Sequence, residues 1–263
     1  MTNDFSMRRP PVIDRVREYW DRRPCNIRHS TAPVMSLQYS QEVTARKYTI
    51  EPHIPEFAQF WRWTGKHVLE IGCGIGTDTL EFARSGANVT AVDISRPSLD
   101  ICQHRLNAEG LTATLVLGDI EHLPPLGRPQ FDLIYAFGVL HHTPNPALAL
   151  RNFLHYMTPT TELRIMMYAK YSWKNLMIHL NKDQHEAQAA CPIANTYSAD
   201  ALTKLLYPLR IQSIEKAHIF PWKIDKYVKY EYEKVWYFRW MPAAMFAFLE
   251  RHLGWHQLVV ATR

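Results

Sequence analysis

Glu70-Ile71-Gly72-Cys73-Gly74-Ile75-Gly76-Thr77 is the densest chemical signal in the sequence: an acid, then three glycines within five residues. Glycine is scarce elsewhere. The 263-residue chain has 10, and nine of them lie between Gly65 and Gly138. Bare backbone at a turn lets a ligand lie against peptide N–H groups, and a helix that starts there adds free donors. The spacing is GxGxG. A dinucleotide-binding turn reads GxGxxG, and here Thr77 stands where its third glycine would fall. Asp93, seventeen residues after Gly76, is an acid that can accept hydrogen bonds from two ribose hydroxyls. Gly118-Asp119-Ile120 and Phe137-Gly138-Val139-Leu140-His141-His142 supply a third acid and two adjacent imidazoles.

Strands and helices must present these groups. His67–Ile71 is a short apolar run stopped by glycine and reads as a buried strand. Residues 77–84 read as a helix, 87–93 as a strand ending in Asp93, and Ser95 as the N-cap of the next helix, with Pro97 early in it. Residues 113–117, 131–137 and 162–168 read as further strands, with a helix at 146–156. Strands that alternate with helices predict a doubly wound, mostly parallel α/β sheet. Residues 210–217 and 257–262 can supply its last two strands. Residues 171–254 interrupt the alternation with long, aromatic-rich helical segments.

Composition narrows the class. With 47% hydrophobic and 21% charged residues, the chain is neither disordered nor collagen-like. The net charge of +5 is segregated: net +4 over 1–66, −5 over 67–150 and +6 over 151–263. An acidic centre with basic flanks differs from the clustered Lys/Arg stripes of a general nucleic-acid binder. The four cysteines form no CxxC pair, which fits a reducing, cytoplasmic setting. The start, MTNDFSMRRPP, has no apolar run of an export signal, and no 18-residue apolar stretch predicts a membrane span. The thirteen histidines show no HExxH-type spacing, so no metal is expected.

Residues 68–93, with Gly118-Asp119-Ile120 and 131–144, resemble the class I S-adenosylmethionine-dependent methyltransferases. The resemblance spans roughly residues 66–168 and implies a seven-stranded Rossmann-like sheet whose last strand is reversed. It implies that Glu70, Gly72, Gly74 and Gly76 hold the methionine part of the cofactor S-adenosyl-L-methionine. By the same resemblance Asp93 takes the ribose, Ile94 packs on adenine, and Asp119 with Ile120 meets the adenine edge. Phe137 to His142 would face both cofactor and substrate. The expected division is a helical cover over residues 1–64 and a methyltransferase domain over 65–263, with the insertion at about 171–254.

The flanks should make the acceptor pocket. Tyr19, Arg28, His29 and Lys47 mix aromatic and cationic groups suited to a small, anionic acceptor, as does Arg46. His141, His142 and Tyr48 are the candidate proton acceptors, with His29, Tyr19 and His218 as further candidates from the flanks, and a solvated or structural role is the plain alternative for each. Amino-methylating DNA enzymes of this fold carry an Asp/Asn-Pro-Pro-aromatic run where this chain has Ala136-Phe137-Gly138, so a small molecule is expected in place of nucleic acid. An RNA methyltransferase and a non-catalytic cofactor-binding module are the competing readings. Twelve of the 32 aromatic residues fall between Phe220 and Trp255. This block reads as a lid, a homodimer surface or an interfacial helix. Its apolar stretch 235–249 has only Arg239 as a charge, so a buried lid or dimer element is expected.

Overall fold

The structure, a computed structural model, describes residues 11–128, 130–182 and 191–263. The first ten residues, on which the expectation about an export signal falls, lie outside the described residues. Ahead of the sheet come α1 (Pro11–Arg22), α2 (Leu37–Ile50), α3 (His53–Ala58) and a 3₁₀ turn at Phe60–Trp63. Then follow β1 (His67–Ile71), α4 (Thr77–Arg84), β2 (Asn88–Asp93), α5 (Arg96–Ala108), β3 (Thr114–Leu117), β4 (Phe131–Phe137), α6 (Pro146–His155) and β5 (Met157–Tyr168). The rest comprises α7 (Trp173–His179), α8 (Ala199–Leu206), β6 (Arg210–Ala217), α9 (Ile224–Tyr227), α10 (Trp236–Arg239), α11 (Ala243–Leu253) and β7 (His256–Thr262).

The strand order is β3-β2-β1-β4-β5-β7-β6. Pairs among β1–β5 are parallel, and β7 runs antiparallel to both β5 and β6. The chain therefore adopts the seven-stranded, mostly parallel α/β fold expected from the sequence, reversed strand included. The short apolar runs of β1 and β4 are buried on both faces because helices cover each side. One core packs β1, β4 and β5 against α6 and α8 around Leu69, Ile134, Phe153 and Leu202. The other packs α3 and the 3₁₀ turn against the opposite face around Phe57, Trp63, Phe82 and Tyr135. Ser95 caps α5 by accepting from Ser98 N–H, and Asn145 caps α6 by accepting from Leu148 N–H.

Two expectations need correction. β5 begins at Met157, not Glu162, because Phe131 pairs with Met157 across a bulge before the regular ladder starts. The insertion is not built of long buried helices. Its helices have 7, 8, 4, 4 and 11 residues, and β6 takes residues 210–217 out of it. α11 has no buried residue, and Trp236 and Trp240 are 74% and 79% exposed. The apolar run 235–249 is broken before Pro242 into α10, where Phe238 is buried, and the start of α11, where no residue is.

Candidate active site

All parallel strands end on one edge of the sheet, so the glycine turn, Asp93, Asp119 and Phe137 come together there. The turn after β1 is left-handed at Gly72, Gly74 and Gly76, with φ of 69°, 53° and 79°. Two of these glycines also leave no room for a side chain. A Cβ at Gly72 would overlap the Val139 side chain, and one at Gly76 would overlap Cys102 Sγ. Gly74 is open by comparison, its nearest neighbour being Cys25 Cβ at 4.0 Å.

Asp93 ties two turns together. Its Oδ2 accepts from Gly74 N–H at 2.8 Å, and its Oδ1 accepts from Ser95 N–H at 2.8 Å. Burial pushes this carboxyl up to about 6, against the pull of the backbone donors. Beneath the turn, Glu70 Oε2 accepts from Thr79 Oγ1 at 2.5 Å, and burial together with Asp78 pushes Glu70 well above the usual carboxylate range. The buried Arg105 guanidinium braces the turn from α5. It donates to Ile75 O at 2.8 Å, Thr77 Oγ1 at 2.9 Å, Thr44 Oγ1 at 2.8 Å, and Ser40 Oγ and O at 3.1 Å each. At the end of β3, Asp119 Oδ1 accepts from Glu121 N–H at 2.9 Å, and Oδ2 lies 3.1 Å from His122 Nδ1. Glu121 in turn accepts from Asn145 N–H at 2.6 Å and from Thr143 Oγ1, joining the β3 end to the segment after β4.

The end of α1 lies over this edge. Trp20 O accepts from Ser95 Oγ at 3.5 Å, and the Trp20 ring meets His142 edge-on at 5.3 Å. Tyr19 packs against Trp20 at 5.0 Å. His142 Nδ1 sits 2.5 Å from Ile193 O, so Nδ1 carries the proton and Nε2 is the acceptor. Among the described residues, neither His142 Nε2 nor the nitrogens of His141 have a hydrogen-bond partner. His141 is stacked 3.6 Å from Tyr168. Burial pushes His141 well below the ordinary imidazole value and His142 down to about 4.

Tyr48 and Lys47 are turned inward onto Asp78, an acid in the first turn of α4. Lys47 Nζ and Tyr48 OH donate to Asp78 Oδ1 at 2.7 and 2.8 Å, and Tyr135 OH donates to Oδ2 at 3.0 Å. Burial, with Asp78 beside them, pushes both phenols well above their ordinary value. Burial alone would lower the Lys47 ammonium, but Asp78 and Glu51 raise it. Lys47 is therefore half of a buried ion pair and not the free cation expected of a substrate anchor. Arg46 is likewise buried. Its guanidinium lies over Tyr227 and Tyr230, 4.3 and 3.9 Å from the ring centroids, and donates to Tyr227 O at 2.7 Å. His29 Nε2 lies 3.4 Å from Tyr227 OH, and Arg28 is exposed. Neither residue has a described contact with the glycine turn.

Four groups meet beside Phe137: Glu51 at the end of α2, His53 at the start of α3, His218 after β6 and His256 at the start of β7; of these only His218 was a candidate from the sequence. His53 Nε2 is 3.0 Å from His256 Nδ1, which is 3.7 Å from Glu51 Oε1. His218 is stacked 4.6 Å from His256, and Phe137 meets His256 edge-on at 5.5 Å. Burial and mutual repulsion push His53 and His256 well below the ordinary imidazole value. No short-range spacing could announce this cluster, because its members are separated by up to 205 residues and meet only through the reversed strand. Asp78, by contrast, had a readable signal as an acid two residues after the glycine turn.

Residues 68–160 match the family described as a methyltransferase domain. A curated relative, the ubiquinone biosynthesis O-methyltransferase of Coxiella burnetii, is 33% identical over 99 residues, which cover 38% of this chain and 42% of that protein. The chain thus aligns with about two fifths of the curated relatives' length. Among solved structures, magnesium protoporphyrin IX methyltransferase from Synechocystis PCC 6803 with bound SAH superposes with a TM-score of 0.60 at 14% identity, over 96% of this chain and 99% of that one. An S-adenosylmethionine-dependent methyltransferase from Mesorhizobium loti gives 0.55 at 17% identity, over 80% and 97%. The fold is the Rossmann-like methyltransferase fold. Its central part, residues 68–160, is similar to methyltransferase domains.

Proposed function

We propose that the chain is an S-adenosylmethionine-dependent methyltransferase that acts on an oxygen or nitrogen of a small, anionic molecule in the cytoplasm. The observation that carries the reading is the carboxyl edge itself, where Asp93 bridges the Gly74 turn and the start of α5. A carboxylate offers about four acceptor positions; the Gly74 and Ser95 N–H groups, with Ile94 N–H beside them, use part of these, and the remainder is what a ribose hydroxyl would meet. The open face of Gly74 suits the methionine part, with Glu70, Gly72 and Gly76 holding the turn. Ile94 and Ile120 flank the adenine place, Asp119 meets its edge, and Phe137 faces the reacting end.

When bound, S-adenosylmethionine supplies a sulfonium methyl that is already activated for attack. The chain's own task is to align the acceptor with the S–CH3 axis, which is worth several kcal/mol, and to take the acceptor's proton. His142 is the best placed of the expected bases. Its Nε2 is buried with no hydrogen-bond partner among the described residues, and its ring meets Trp20 of the α1 end. His141 stands behind it as a stacked support. Tyr48 holds Asp78, so we assign it a positioning role. Tyr19, on the α1 end, is the best placed of the expected acceptor-binding residues. The four free cysteines fit a cytoplasmic setting, and among the described residues no helix is long and apolar enough to cross a membrane.

A calorimetric titration with S-adenosylmethionine, run beside an assay for S-adenosylhomocysteine release on a small-molecule pool, tests this. One site per chain with catalytic release supports the enzyme. Stoichiometric binding without release would favour the non-catalytic module.

A further inference from the structure

We propose that Glu51, His53 and His256 form a binding site for a divalent transition metal, with zinc as its occupant. Each offers one ligand atom, and the three atoms all lie within 4.8 Å of one another. Zinc binds imidazole nitrogen and carboxylate oxygen at about 2.0–2.2 Å, so two ligands of a tetrahedral site stand about 3.3 Å apart. The distances here, 3.0 Å between His53 Nε2 and His256 Nδ1 and 3.7 Å from His256 Nδ1 to Glu51 Oε1, bracket that edge. Two imidazoles with one carboxylate select zinc-like cations over magnesium and calcium, which prefer oxygen.

The ligands come from three separate elements, so the site is held by the fold. Glu51 closes α2 with its N–H donating to Lys47 O, and Pro52 fixes the short step to His53. The His256 ring is fixed between the stacked His218 and the edge of Phe137. His218 adopts a left-handed backbone, φ 70°, which is uncommon for a residue with a side chain and often marks a functional position. A cavity of about 370 Å³, lined by His53, His218, Lys216 and Glu250 among others, opens the cluster to solvent and gives an ion a path in. Three protein ligands leave a fourth position vacant on zinc, the arrangement of zinc sites that take a water or an exchangeable donor. The site goes beyond the methyl-transfer reading and does not depend on it.

The test loads the full chain with zinc, removes the excess by dialysis and measures metal by mass spectrometry. One zinc per chain is expected, with affinity reduced tenfold or more in His53→Gln and in His256→Gln. Absorption spectroscopy at the zinc edge of the wild-type protein should show two imidazoles and an oxygen ligand, which keeps the test valid if a variant misfolds. No retained zinc, wild-type affinity in both variants, or sulfur ligation would overturn the proposal. S-adenosylmethionine binding, measured on the same samples without zinc, registers separately any failure of the proposed function.

Discussion

Asp93 ties the carboxyl edge of the sheet together through one side chain. Its folded value of about 6 lies above the 3.8 of a free aspartate. The carboxyl's stabilising contribution is thus fully present below pH 3.8 and is lost as pH rises through about 6. Hydroxyl donors from a ribose would favour the charged form. S-adenosylmethionine affinity should therefore fall as pH drops below about 6, with proton release on binding near that pH, read by calorimetry in buffers of different ionisation heat. Asp93→Ala should weaken binding tenfold or more, from the loss of a charge-assisted bond worth about 1.5–3 kcal/mol. Unchanged affinity would remove Asp93 from the site. His142→Ala should leave cofactor affinity intact and lower turnover about 10²–10⁴-fold. The glycine turn and its acids were legible in the sequence because their function depends on short spacings. The inward turn of Tyr48 and Lys47 was not, because an acid about 30 residues further along, Asp78, decides it.

At the scale of elements, Asp78 joins α4 to α2 through Lys47 and Tyr48 and to β4 through Tyr135. Asp78→Ala leaves a buried ammonium without its partner and should cost about 3–5 kcal/mol, measured by urea unfolding. A loss below about 1 kcal/mol would show that the pair is solvent-screened. Alternation of strands and helices predicted β1 to β4 nearly to the residue, since buried parallel strands are short apolar runs with sharp stops. β5 was read five residues late, because its start, Thr158-Pro159-Thr160-Thr161, is polar and sits beyond the bulge.

The molecule as a whole is closed by its flanks. Arg46 on α2 is held between Tyr227 and Tyr230, and Tyr230 OH donates to Arg28 O at 2.8 Å, so the N-terminal cover and the aromatic block meet directly. Composition flagged both flanks as aromatic and basic but could not pair them, since a cation over a tyrosine face leaves no local pattern. Arg46→Ala should cost about 2 kcal/mol or more and speed proteolysis within 220–255, followed by mass spectrometry of the fragments. The central claim is that this closed carboxyl edge transfers methyl groups to a small molecule. Incubating the protein with S-adenosylmethionine tritiated in its methyl group and a cell extract, then separating small molecules from RNA and protein, tests it most directly. Tritium should appear in one small-molecule product and be lost with Asp93→Ala. Label confined to RNA, or no label above the variant's background, would contradict it.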